Sequence, residues 1–307
     1  MKVSVSPCKG GGGSGDALPP LVSVQEAPAF LRMRFIQQHY RVHFTPAQCV
    51  RSILAWHNQT GNIWTHLVGA LLVVVCAPKV IWDVLDAAQG HEHTSFHIMV
   101  MTVFLVGTFL AFIFSTLFHT FNSHSKHAYD VFNRLDCAGI TCYMYGGILP
   151  FLIYSFYCHP NRMALNFIGF TSLGVLVLVS SQLSYFRCPK RNWQRSCLMG
   201  LFVVFFAYIG VHAYLDLPTD ASEEQKQMLF DMIVAGATGS IGGIIYATRI
   251  PERWMPGTFD LVFNSHQIWH VAAILCAYFF YHAIMGYVRW RLSMDCQLPT
   301  SPSSTPP

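Results

Sequence analysis

Seven stretches of this chain carry no Asp, Glu, Lys or Arg: 52–78, 94–125, 137–161, 163–186, 196–215, 232–248 and 261–288. A helix needs about 20 predominantly apolar residues to cross the hydrocarbon of a bilayer, and most of these runs reach or exceed that. Only 11% of the 307 residues are charged and 53% are hydrophobic, against roughly 25% charged in a soluble domain. Too little polar surface exists to cover a water-facing globule. The pattern predicts an all-α membrane protein with seven transmembrane helices.

The formal charge of +4 invites a search for anionic partners, but its distribution explains it better. With the amino terminus in the cytosol, the inside segments collect Lys2, Lys9, Arg32, Arg34, Arg41, Arg51, Lys126, Arg134, Arg187, Lys190, Arg191, Arg195, Arg249 and Arg253. The outside segments keep Lys79, Arg162, Lys226, Arg289 and Arg291. Fourteen against five is a positive-inside asymmetry, which sets the N-terminus in the cytosol and the C-terminus outside. A nucleic-acid partner is not expected. The resident membrane is read as plasma membrane or Golgi and endomembrane.

Residues 1–28, with a GGGGSG run, read as a flexible tail, and 291–307, rich in Ser, Pro and Thr, read as another. No basic, apolar, small-residue pattern opens the chain, so no cleavable signal peptide is expected. Residues 29–56 form a basic and aromatic juxtamembrane segment, and 57–290 form the seven-helix domain. Thr45-Pro46-Ala47-Gln48 reads as an N-cap followed by proline at the first helical position, which makes either a short interfacial helix or a packed loop. The sequon Asn58-Gln59-Thr60 falls in the cytosol and is expected to be unused. Most of the ten cysteines lie in apolar runs, among them Cys76, Cys137, Cys142 and Cys276, so no disulfide framework is expected. The Gly236 to Gly243 run lacks the Lys-Ser/Thr ending of a phosphate loop. Small residues at four-residue spacing mark close helix packing instead, and the sixth span is expected to be an interior helix.

The chemistry sits in His266-Gln267-Ile268-Trp269-His270. Residues i and i+4 lie one above the other on a helix, so both imidazoles can reach one ion. The assumed topology brings more residues to the same depth. The second span runs inward and ends with Ser115 and His119, again i and i+4, while the third runs outward from Asp136. Three neutral imidazoles with one open position is how catalytic zinc is held, and the ion lowers the pKa of a bound water to about 7. Asp136 is then either an acceptor for that water or the general base, unless it merely caps its helix. Ser115 can hydrogen-bond the water or a developing oxyanion. Gln267 follows the first histidine, so this is not a His-Glu-x-x-His site and any base comes from elsewhere. His66 and His282 stay unassigned, since a lone intramembrane histidine is usually a packing or relay residue.

At these residues the sequence resembles the progestin and adipoQ receptor family, most of all its adiponectin receptor branch, related to the hemolysin III proteins. The resemblance covers roughly 56–287. It rests on Thr60-Gly61-Asn62-Ile63-Trp64-Thr65-His66, Ser115-Thr116-Leu117-Phe118-His119-Thr120, Leu135-Asp136 with Gly139-Ile140, Tyr154-Ser155-Phe156-Tyr157-Cys158, Ile250-Pro251-Glu252-Arg253 and Ser265-His266-Gln267-Ile268-Trp269-His270. It implies seven helices with a cytosolic amino terminus, zinc on His119, His266 and His270, Asp136 at the zinc-bound water and Ser115 in support. It also implies hydrolysis of lipid amides such as ceramide, and signalling in lipid and energy metabolism under a hormone or lipid ligand. The Gly-rich head stands where adiponectin receptors carry a longer acidic one.

Two functions follow. One is a ceramidase-like zinc hydrolase, acting within a receptor that is able to form oligomers. The other is a non-catalytic receptor or scaffold with structural zinc. A G-protein-coupled receptor matches by helix count alone, and the charge asymmetry opposes it.

Overall fold

The computed structural model describes residues 17–91, 93–183 and 192–294. Eight α-helices lie among them: α1 Pro46–Arg51, α2 Thr60–Ala87, α3 Thr94–Phe121, α4 Lys126–Ser155, α5 Pro160–Gln182, α6 Asn192–Leu215, α7 Glu223–Thr248 and α8 Ser265–Leu292. A single 3₁₀ turn, Ser52–Leu54, follows α1. Six of the helices (α2, α3, α4, α5, α7 and α8) are long and apolar enough to cross a membrane, and α6 carries a shorter apolar stretch, Gly200–Leu215.

Local chemistry sets the boundaries more sharply than charge does. Ser125 accepts the Ala128 N–H and starts α4 eleven residues before its charge-free run. Ser222 opens α7 with a reciprocal capping box to Gln225, and Asn264 accepts the Gln267 N–H to open α8. Thr45 caps α1 through the same kind of box, with Pro46 at N1. α2 starts at Thr60, eight residues after its charge-free run begins, because the Thr60 hydroxyl donates to the Ala55 carbonyl and accepts the His57 N–H. It outlasts that run because Lys79 pairs with Asp83 one turn on, at 2.7 Å.

The helices pack in a ring that closes where α8 meets α2, with α4 touching α3, α5, α6 and α8. The interior helix is α4, not the expected sixth span: 67% of its most apolar window is buried, against 28% for α7. Small residues report close approach rather than depth. A Cβ on Gly242 would strike Ala272 and Trp269 of α8, and one on Gly139 would come within 2.9 Å of the Ala111 backbone of α3. The outward faces of α2, α5 and α7 stay apolar, as at Val75, Ile168 and Ile233.

Residues 17–28, expected within a flexible tail, carry structure. Val22 bridges Tyr40, and Ala27 packs with Leu31, Ile36 and Tyr40. Residues 1–16 and 295–307 lie outside the described residues. Cys49, Cys76, Cys142, Cys197 and Cys276 are free, whereas Cys158, in the α4 to α5 connection, is disulfide-bonded. No disulfide framework is expected from the sequence, and Cys158 is the described cysteine that is bonded.

Candidate metal centre

Three histidines from two helices meet at one end of the bundle. His119 lies two residues before the end of α3, while His266 and His270 occupy the first two turns of α8. One ligand atom from each lies within 4.8 Å of the others, and the His119 and His266 Nε2 atoms are 3.1 Å apart. Two ligands each about 2.0 to 2.1 Å from one tetrahedral ion would stand at a similar separation. His119 and His270 are buried, and His266 is half-buried.

The remaining ring nitrogens of His119 and His270 are tied outward. The Gln59 Oε1 atom lies 2.7 Å from His119 Nδ1 and also accepts the Asn62 amide at 2.8 Å, while the Gln59 amide nitrogen meets the Met33 sulfur. An oxygen that accepts from Asn62 is an acceptor toward His119 as well, so His119 carries its proton on Nδ1 and turns a lone pair on Nε2 to the cluster. Thr65 does the same for His270. Its hydroxyl donates to the Gly61 carbonyl at 2.7 Å and stands 3.0 Å from His270 Nδ1, which leaves it to accept there. His266 is braced differently, by the Tyr246 ring at 5.0 Å and by Glu252, which binds the Ser265 N–H and hydroxyl at the α8 N-terminus.

An outer layer holds this end together. Arg41 is fully buried and donates to the His119 carbonyl at 2.6 Å, the Thr120 carbonyl at 3.1 Å and the Ser52 hydroxyl at 2.6 Å, so it caps α3 beside the histidine cluster. Burial lowers its pKa to about 10, which leaves it protonated at neutral pH. His57 is pushed down to about 3 by burial and then by the Arg41 charge, and stays neutral. It accepts the Gln59 N–H and donates to the Ser52 carbonyl. Asp260 accepts the N–H groups of Gln37 and Gln38, tying residues 17–59 to the loop before α8.

Of the residues singled out in sequence, His119, His266 and His270 come together. Ser115 is buried one turn before His119, and its hydroxyl has no hydrogen-bond partner among the described residues. Asp136 is half-buried on α4 one turn before Gly139, level with Ser115 across the close Gly139 to Ala111 crossing. It stands outside the three-histidine group. Gln267 does not face the cluster: it accepts the Phe263 N–H, donates to the Leu261 carbonyl and packs on Gly61. Sequence reading missed Arg41, counted as a loop charge, and Gln59, seen only inside a sequon. His66 it left without a role.

A profile of the haemolysin-III related family matches residues 54–281. The chain is 32% identical over 255 residues to a fruit-fly adiponectin receptor protein, covering 83% of this chain and 56% of that one. It is 30% identical to a Caenorhabditis elegans progestin and adipoQ receptor-like protein 1, covering 81% and 56%. It is 28% identical to Arabidopsis thaliana heptahelical transmembrane protein 1, covering 90% and 83%. The chain thus spans about half the length of the animal relatives.

Proposed function

The chain belongs to the haemolysin-III related family, as an adiponectin receptor-like, integral multi-pass membrane protein, and from that premise we propose a zinc-dependent hydrolase of ceramide-type lipid amides that signals in lipid metabolism. The observation that carries the reading is the inward turn of the histidine lone pairs, with the outer nitrogens of His119 and His270 occupied by Gln59 and Thr65. Zinc suits a set of three neutral imidazoles, and when bound it supplies Lewis acidity and a water of pKa about 7.

In this reading α6 also crosses the membrane, as the fifth span in chain order, and brings the six long apolar helices to seven spans. Its 24 residues make a rod of about 36 Å, longer than the roughly 30 Å hydrocarbon core. The amino terminus is cytosolic, the C-terminus outside, and the histidine end lies toward the cytosolic leaflet. The lipid enters sideways between helices. Ser115 donates its hydroxyl to the amide carbonyl oxygen as charge develops there. Asp136 takes the proton of the attacking water and delivers it to the leaving nitrogen, releasing a fatty acid and a sphingoid base. An extracellular hormone or lipid tunes that turnover.

The second reading is a receptor or scaffold with structural zinc, favoured by the full burial of His119 and His270, which limits the access of water to an ion there. One experiment separates the two: zinc content and ceramide hydrolysis on the same purified sample of wild type, His270→Ala and Asp136→Asn. The hydrolase requires one zinc per chain, loss of zinc and activity in His270→Ala, and retained zinc with lost turnover in Asp136→Asn. One zinc with no turnover of any lipid amide selects the receptor.

A further inference from the structure

His66 sits on α2 with its ring stacked on His270, centroids 3.5 Å apart and planes 10° from parallel. It is buried, and neither ring nitrogen makes a well-formed hydrogen bond among the described residues, although the His270 backbone lies near the ring. Native interiors rarely leave even one such group unmet, and two on one ring point to a partner that is not protein. The stack fixes where that partner sits. Nearly parallel rings one ring-thickness apart set His66 against the face of His270, along the flank of the three-histidine group. Phe112 of α3 closes the other side at 5.0 Å, one turn from Ser115, whose hydroxyl is likewise unmet. One turn back on α2, Asn62 is fully buried with its Oδ1 unmet.

We propose that His66 is a substrate-binding residue: with Ser115 and Asn62 it forms a polar shelf beside the metal centre that holds the amide and a neighbouring hydroxyl of a lipid. A neutral imidazole offers one donor and one acceptor. That matches a group presenting both a carbonyl or hydroxyl oxygen and an N–H or O–H. A plain fatty acid ester presents only acceptors and should bind less well. The inference rests on the hydrolase reading for its substrate class, but its central readout is binding.

The test uses the full chain in detergent as His66→Phe, which keeps a flat stacking ring and removes both nitrogens, and as His66→Gln, which restores a donor and an acceptor. Binding of a fluorescent ceramide is measured on zinc-loaded and on chelator-stripped protein, with zinc content alongside. His66→Phe is expected to hold one zinc per chain yet bind the ceramide roughly ten- to a hundred-fold more weakly in both states. His66→Gln is expected to recover part of the loss. Wild-type ceramide binding by His66→Phe overturns the proposal while leaving the hydrolase untouched. Zinc loss in His66→Phe also overturns it, by making the residue a support for His270. Wild-type protein that binds ceramide without cleaving it fails the hydrolase reading alone. Wild-type protein that binds no lipid amide fails both.

Discussion

Each end of the bundle buries an arginine against the C-terminus of a helix, and the surroundings differ. At the histidine end, Arg41 caps α3 through the His119 and Thr120 carbonyls. It bonds no carboxylate among the described residues, so the negative helix terminus is its counter-charge. At the opposite end, Arg291 caps α4 through the Tyr154 and Ser155 carbonyls, pairs with Asp216 at 2.7 Å and lies over the Trp290 ring at 4.2 Å. That end is tied by polar pairs: Ser155 with Tyr287, His97 with Tyr154, and Tyr281 with Asp83. It leaves His97 Nε2 and His212 Nδ1 unmet, while the histidine end leaves atoms unmet on Arg41, Asn58, Asn62, Ser115 and both nitrogens of His66. The opposite end is held mainly by pairs between its own side chains, and the histidine end keeps more polar capacity unspent.

The largest test of that contrast is removal of a ligand. His119→Ala or His270→Ala should take bound zinc from about one per chain to none, read by elemental analysis of purified protein, while Asp216→Asn should leave it unchanged. The two arginines come next. Arg41→Met and Arg291→Met each strip a charged donor from helix-terminal carbonyls, and each should destabilise the protein by about 2 to 4 kcal/mol, since hydrogen bonds to charged groups run about 1.5 to 3 kcal/mol. Only Arg41→Met should also lower zinc occupancy, because only Arg41 grips a residue of the histidine cluster. Equal zinc loss in both would show that the ends are not independent.

How far the sequence foretells this division depends on which physical property each residue advertises. Charge-free runs locate lipid-facing helix, so they find the spans yet misplace their ends: 126–136 is charged and still helical, because Ser125 caps α4 and nothing there needs to touch lipid. The four-residue spacing of His266 and His270 advertises shared direction, and α8 delivers it. Arg41 advertises nothing. It reads as one more basic residue among aromatics, and its partners are backbone carbonyls 78 and 79 positions away. Gln59 is masked by the sequon around it, since its role depends on facing His119 from another helix. The glycines of α7 mark contact with α8, a pairwise property, and were read as depth, a global one.

A smaller effect sharpens the comparison within the histidine end. Gln59→Leu keeps volume but removes the acceptor that fixes the His119 proton on Nδ1. Zinc affinity, followed by competition with a chromogenic chelator, should weaken roughly ten- to a hundred-fold with the fold intact. Thr65→Val should act in the same direction through His270.

The smallest effect belongs to the opposite end. Lys79 pairs with Asp83 at 2.7 Å, but its side chain is 71% exposed and that of Asp83 only 14%. An exposed ammonium contributes little to such a pair, about 0 to 1 kcal/mol. The buried side of Asp83 is held by the Tyr281 hydroxyl, which reaches it from α8 and needs no lysine. Lys79→Ala should therefore lower thermal stability by less than about 1 kcal/mol, and Tyr281→Phe by about 1 to 3 kcal/mol, the cost of leaving a part-buried charged acceptor short of a donor. Neither should move zinc content. Both side chains lie on helices that also carry the histidine end, α2 with Gln59 just ahead of it and α8 with His266 and His270, so zinc loss in Tyr281→Phe would mean that a tug on α8 far from the ligands reaches them through the helix itself.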